Sequence, residues 1–181
     1  MNAYSKTVES LVRRDALRLK ALQCVKQLQL PQCYLAAGFV RNLVWDYLHA
    51  KPRSTALNDV DVIYFDPLET NPDAHLAHEA RLKHALPILN WQVRNQAWMH
   101  LRNGDRPYQS AIDAMSYWPE QETAVAVRLN SDNQFECVSV FGLASLFALR
   151  ITYNPKRERA LFEQRIQTKG WHNLWPELRV V

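Results

Sequence analysis

Glycine is scarce in this chain, 4 in 181 residues, which leaves little room for low-complexity or linker-like segments. Cysteine is scarcer still. Cys24, Cys33 and Cys137 are odd in number and widely separated, without Cys-x-x-Cys spacing, which argues against a disulfide framework and against zinc or redox work. They read as small buried apolar residues in a reducing compartment. No apolar run approaches a membrane span, and Met1 to Arg14 lacks the apolar core of a secretory signal, so the expectation is a cytoplasmic protein with no membrane contact. Nor is there a long run of one charge. The densest cluster, Lys156-Arg157-Glu158-Arg159, is broken by an acid and reads as a solvated helix face rather than a nucleic-acid tract. A net charge of +4 modestly favours polyphosphates or nucleic acid as partners.

What is present is the apolar content of a folded domain, without a linker or internal repeat. Val8 to Leu30 has helical spacing and ends at Pro31. Cys33 to Ala37 and Val60 to Phe65 read as strands flanking a helix over Phe39 to His49, a βαβ core. Asn71 to Leu86 reads as a helix, Trp91 to Val93 as the third strand, and Asn95 to Leu101 as a short helix. Tyr108 to Tyr117 reads as another. Thr123 to Leu129 and Phe135 to Val140, joined by a polar turn, form an added β-hairpin. Helices over Phe141 to Leu149 and Lys156 to Gln167 close the chain. The expectation is one α/β domain over residues 1–181, a mixed sheet with an amino-terminal helical region to about residue 30 and carboxy-terminal helices from about residue 141.

Asn58-Asp59-Val60-Asp61-Val62-Ile63-Tyr64-Phe65 is the richest phrase. Alternate side chains of a strand share a face, so Asp59 and Asp61 project the same way with Cα atoms roughly 6.5 to 7 Å apart. Two carboxylates on one rigid edge repel unless a cation lies between them, and hard oxygen ligands suit Mg2+ (or Mn2+), which commonly arrives with substrate phosphates. By itself the pattern is also met at ordinary strand starts with solvated acids.

Upstream, Tyr34-Leu35-Ala36-Ala37-Gly38-Phe39-Val40-Arg41-Asn42 passes from a strand through glycine into a helix, which gathers backbone N–H groups and the positive end of a helix. Gly38 allows a tight turn and close ligand approach. Arg41 and Asn42 in the first turn would add donors to a phosphate or sugar. Arg53, Ser54, Asn95 and Gln96 are further polar candidates, while His75, His78 and His84 read as an exposed helix face rather than metal ligands. Trp171, Trp175 and Tyr153 read as a carboxy-terminal cluster sealing the core.

In this order and spacing the two motifs resemble the nucleotidyltransferase superfamily of DNA polymerase beta and the tRNA CCA-adding enzymes. Gly38-Phe39-Val40-Arg41-Asn42 resembles the Gly-Gly-x-Val-Arg-Asp phrase of the CCA-adding branch; Phe39 stands where that branch has a second glycine, and Asn42 where it has an aspartate. Over most of its length the chain resembles a small bacterial family of predicted nucleotidyltransferases, through those phrases and Val93-Arg94-Asn95-Gln96-Ala97, Trp118-Pro119-Glu120 and Phe141-Gly142-Leu143. The resemblance implies transfer of a nucleoside monophosphate from a nucleoside triphosphate, ATP among the candidates, to an acceptor hydroxyl on RNA, a small molecule or a protein. Asp59 and Asp61 would hold Mg2+ and serve catalysis; Gly38, Phe39, Arg41, Asn42 and, more weakly, Arg94 would bind nucleotide phosphate.

The resemblance also implies a third carboxylate on a neighbouring strand, where this chain has Gln92. An amide takes no proton from a hydroxyl and is a weaker metal ligand. Glu120 is the first substitute expected, followed by Glu122 and Asp113. The alternative reading is a non-catalytic nucleotide or nucleic-acid binding module on the same fold, and a third is a structural or interaction protein.

Overall fold

The computed structural model describes residues 3–181. The amino-terminal helical region is two helices, α1 (Ala3–Arg14) and α2 (Ala16–Lys26). They break at Asp15, whose extended backbone and carboxylate, accepting from the Arg18 N–H at 3.0 Å, start the second helix afresh. There follow β1 (Tyr34–Ala36), α3 (Gly38–Leu48), β2 (Val60–Tyr64), α4 (Ala74–Ala85), β3 (Trp91–Asn95), α5 (Gln96–Asn103) and α6 (Ala111–Met115). The chain closes with β4 (Val125–Leu129), β5 (Phe135–Ser139), α7 (Ala144–Phe147), β6 (Arg150–Ile151), α8 (Arg159–Lys169), α9 (Trp171–Leu174) and β7 (Arg179–Val180).

The main sheet runs in the order β3-β2-β1-β4-β5 and is mixed. Its parallel pair is β2 with β3, joined through α4, so the βαβ unit lies one element later than the β1–α3–β2 segment expected from sequence. β1 and β2 are antiparallel neighbours, because the loop after α3 delivers the chain back alongside β1 in the opposite direction. An apolar run tells that a strand exists and says nothing of its direction. The β4–β5 hairpin forms as expected, with Asn133 at φ 60 and Asn130 donating to the Gln134 carbonyl at 3.0 Å. The helices expected over 108–117 and 141–149 shrink to α6 and α7. Ser110 starts α6 by capping the Asp113 N–H at 2.9 Å. The short β6–β7 pair had no clear signal in the sequence.

Alternation along the strands separates two faces. Leu35, Val62, Tyr64, Val93, Val125 and Val127 join the large core beneath α1, α2, α3 and α4. Tyr34, Ala36, Ile63 and Ala126 face a smaller core under α5 and α6. Asp61, two residues before Ile63, therefore lies on the second face, at the end that α5 and α6 leave open. Among the described residues no helix is long and apolar enough to cross a membrane.

Candidate functional site

A cleft of about 410 Å³ occupies that open end, and its lining gathers elements far apart in sequence. Gly38, Arg41 and Asn42 come from α3, Asp59 and Asp61 from β2 and its approach, Gln92 and Arg94 from β3, and Arg165, Lys169, Trp171 and Trp175 from the carboxy-terminal helices and the turn beyond them.

The corner between β1 and α3 turns at Ala37, with φ 55 and ψ −121, a left-handed backbone that favours glycine. This corrects the placement of the missing glycine. Aligned on Val40 and Arg41, the two-glycine phrase falls on residues 37 and 38, so the departure is Ala37, and Phe39 is an ordinary helical position. Phe39 is fully buried, packed with Arg18 above its ring, and does not reach the cleft. Gly38 is open to it.

Arg41 lies almost wholly buried. Its guanidinium is flanked by Trp171 at 4.5 Å and Trp45 at 5.0 Å, donates from Nη1 to Thr123 Oγ1 at 2.6 Å, and reaches Asn42 Oδ1 from Nη2 at 3.0 Å. Burial pushes its pKa down to about 10 despite Glu120 and Asp61 nearby, so it stays charged at neutral pH.

Asp59 is exposed and accepts from Asn90 Nδ2 at 2.6 Å. Asp61 is half-buried and, among the described residues, no donor sits on its carboxylate. Burial pushes its pKa up and Asp59 adds to the effect, while Arg41, Lys169 and Arg165 oppose it. A carboxylate in this condition, beside a second one, suits a hard cation. Among the described residues no group of three or more His, Cys, Asp or Glu could hold a metal; Asp59 and Asp61 offer the cleft two carboxylates open to further oxygens. That fits a magnesium ion completed by water and substrate phosphates rather than a closed protein cage.

Gln92 stands directly across the β2–β3 pair from Asp61, where the third acid is expected. Its Oε1 accepts from Arg94 Nη2 at 2.9 Å, and Arg94 also donates to Glu79 at 2.7 Å. None of the substitute acids lines the cleft. Glu120 is 1% exposed, and its carboxylate accepts from Arg165 Nε at 2.6 Å and from Thr123 Oγ1 at 3.0 Å. Glu122 is buried on the Thr152 backbone and hydroxyl, both at 2.7 Å, and Asp113 pairs with Arg106 at 2.9 Å. A buried carboxylate needs donors around it, and Glu120 and Glu122 have found theirs, Glu120 from the rear of two residues that line the cleft, Arg165 and Thr123.

Other candidates settle as framework. Asn95 caps α5, donating to Glu69 and Asp66; Gln96 lines the cleft. Ser54 donates to Asp15 at 3.0 Å. His78 packs edge-on against Tyr64. Trp171 and Trp175 seal against Trp45, as expected, and also wall the cleft. Sequence reasoning missed Arg165, Lys169 and Asp46. The signal for the first two was their spacing of one helical turn on α8. Asp46 accepts from the Thr55 N–H and hydroxyl, each at 2.6 Å, and from Trp175 Nε1 at 2.8 Å, tying the loop before Asp59 to the carboxy-terminal wall.

Comparisons with known proteins bear on the fold and the family. A structure whose description reads that it "reveals a CCA-adding enzyme head domain", determined by NMR, shares 31% identity over 97% of this chain and 95% of its own, with a TM-score of 0.86. A tRNA-processing enzyme in an apo form, 15% identical, matches 89% of this chain and 44% of its own with a TM-score of 0.54, a likeness of fold alone. No curated protein matches the chain. The sequence profile described as Nucleotidyltransferase matches residues 23–180, and the chain belongs to that nucleotidyltransferase family.

Proposed function

We propose that this chain transfers a nucleoside monophosphate from a nucleoside triphosphate to an acceptor hydroxyl, with a divalent cation, magnesium or manganese, held by Asp59 and Asp61. The observation that carries the reading is that these carboxylates and the Gly38 corner line one cleft. The cation would supply charge stabilisation at the phosphoryl group during in-line displacement of pyrophosphate. Gly38 gives the phosphates access to backbone N–H groups at the start of α3. Arg41, held between two indoles, presents fixed positive charge, and Asn42, braced against it, orients a sugar or phosphate oxygen. The three cysteines are free, in keeping with a cytoplasmic setting.

The likeness to a CCA-adding enzyme head domain makes an RNA 3′ hydroxyl the first acceptor to try, followed by small-molecule and protein hydroxyls. The test is incubation with magnesium and each labelled triphosphate, alone and with each acceptor class, following pyrophosphate release. Magnesium-dependent release that disappears in Asp59→Asn and Asp61→Asn, with their far-UV circular dichroism unchanged, is expected; equal release by the double variant refutes the assignment.

One observation favours a second reading. The amide oxygen of Gln92 is bonded to Arg94, and among the described residues no carboxylate besides Asp59 and Asp61 lines the cleft, which suits a module that binds nucleotide or nucleic acid without turnover. Tight magnesium-dependent triphosphate binding with no product from any acceptor would select it.

A further inference from the structure

Among the described residues, four cationic side chains, Arg41, Arg94, Arg165 and Lys169, line the cleft against two carboxylates, Asp59 and Asp61. Arg94 is committed to Glu79 at 2.7 Å, on the β3 side. The other three stand together on the carboxy-terminal side, and all three act electrostatically on Asp61. Their support is built in. Glu120, buried behind the wall, holds Arg165 through Nε at 2.6 Å and Nη2 at 3.3 Å, and reaches Arg41 through Thr123, which donates to Glu120 at 3.0 Å and accepts from Arg41 at 2.6 Å. One buried carboxylate thus braces two guanidiniums, and Arg165 Nη1 is left without a protein acceptor among the described residues. Phe162, buried on the core, anchors α8 so that Arg165 and Lys169 follow on one side of the helix. Lys169, at the helix end, has no ion-pair partner among the described residues.

From this arrangement we infer that α8 carries a polyphosphate-binding site, in which Arg165 and Lys169, backed by Arg41, receive the two phosphates farthest from the nucleoside. The inference rests on the reading of the cleft as a triphosphate site. A cation at Asp59 and Asp61 balances those two carboxylates, which leaves the negative charge of the outer phosphates to be met elsewhere. Arg165 supplies a planar fork held rigid by Glu120, and Lys169 a mobile point charge, the usual complement for a chain of phosphates. The number of phosphates is then recognised by a helix remote in sequence from both the Asp59–Asp61 strand and the Gly38 corner.

The test measures binding of methylene-bridged, non-hydrolysable analogues of the four nucleoside triphosphates with magnesium by calorimetry, then the corresponding monophosphate of the tightest, with inorganic pyrophosphate as a probe that carries no base. Wild type is expected to prefer triphosphate to monophosphate. Lys169→Ala, an exposed position that leaves folding intact, and Arg165→Lys, which keeps a cation for Glu120, should each weaken triphosphate and pyrophosphate binding by about tenfold and leave monophosphate affinity unchanged. An unchanged preference in both variants overturns the inference. If Asp61→Asn still abolishes magnesium-dependent triphosphate binding in that case, the reading of the cleft stands without it. Wild type that binds none of the analogues sinks both.

Discussion

Asp61 and Gln92 face each other across adjacent parallel strands, and the amide oxygen of Gln92 is turned to Arg94 at 2.9 Å, which leaves its NH2 end as the group with hydrogen-bonding capacity to offer the cleft. At the position where the resemblance implies a third acid, this chain therefore places a donor. Gln92→Glu would keep the contact with Arg94 and add a hard anionic ligand beside Asp61. The expected outcome is tighter manganese binding, roughly tenfold by electron paramagnetic titration, because carboxylate count sets affinity in such sites. Pyrophosphate release faster than wild type would show that the missing base limits turnover.

Ala37 holds φ 55 at the corner where the chain leaves β1 for α3. A Cβ in that region is strained, and glycine relieves it at some cost in unfolded-state entropy. Ala37→Gly is expected to stabilise the fold by about 1 kcal/mol, read as a higher denaturation midpoint at unchanged slope. A destabilised variant would show that the corner carries no strain.

Asp46 joins α3, the loop before Asp59 and Trp175 by three hydrogen bonds of 2.8 Å or less, with Lys51 at 3.3 Å. Removing it leaves the half-buried Lys51 without its anion and the Thr55 and Trp175 donors unmatched. Asp46→Ala should cost about 3 kcal/mol by chemical denaturation and loosen the cleft, so that triphosphate affinity falls even where the protein is fully folded. Retained affinity at that reduced stability would confine Asp46 to the scaffold.

Asp105 and Arg157 form a two-pronged ion pair, at 2.8 and 2.6 Å, that fastens the segment before α8 to the turn after α5. Burial alone would raise the Asp105 carboxyl, but hydrogen bonds from Arg157 and Tyr108 outweigh it and hold it below the usual carboxylate range. A depressed folded-state pKa stabilises the protein above the unfolded value, about 4, and that contribution is lost as pH falls through the folded one. Thermal melts across acid pH should show wild type losing stability in that window, with a shallower loss in Asp105→Asn. Parallel curves would remove Asp105 as a cause.

The sequence by itself determined the elements of the central sheet up to the β4–β5 hairpin, and the two motifs. Periodicity placed β1, α3, β2 and the β4–β5 hairpin to within a residue or two, and alternation in Asp59-Val60-Asp61 set both acids on one face, because strand geometry is local. The family phrases between Gly38 and Leu143 followed from the same local record, and the matching profile spans residues 23–180. Only the tertiary structure decided that β1 and β2 run antiparallel, that Glu120 turns its carboxylate to Arg165 and Thr123 behind the cleft wall, and that Arg165 and Lys169 join Asp61. Strand direction depends on where a loop returns the chain. The fate of a buried charge depends on which donors arrive from distant segments, and no spacing along the chain encodes that.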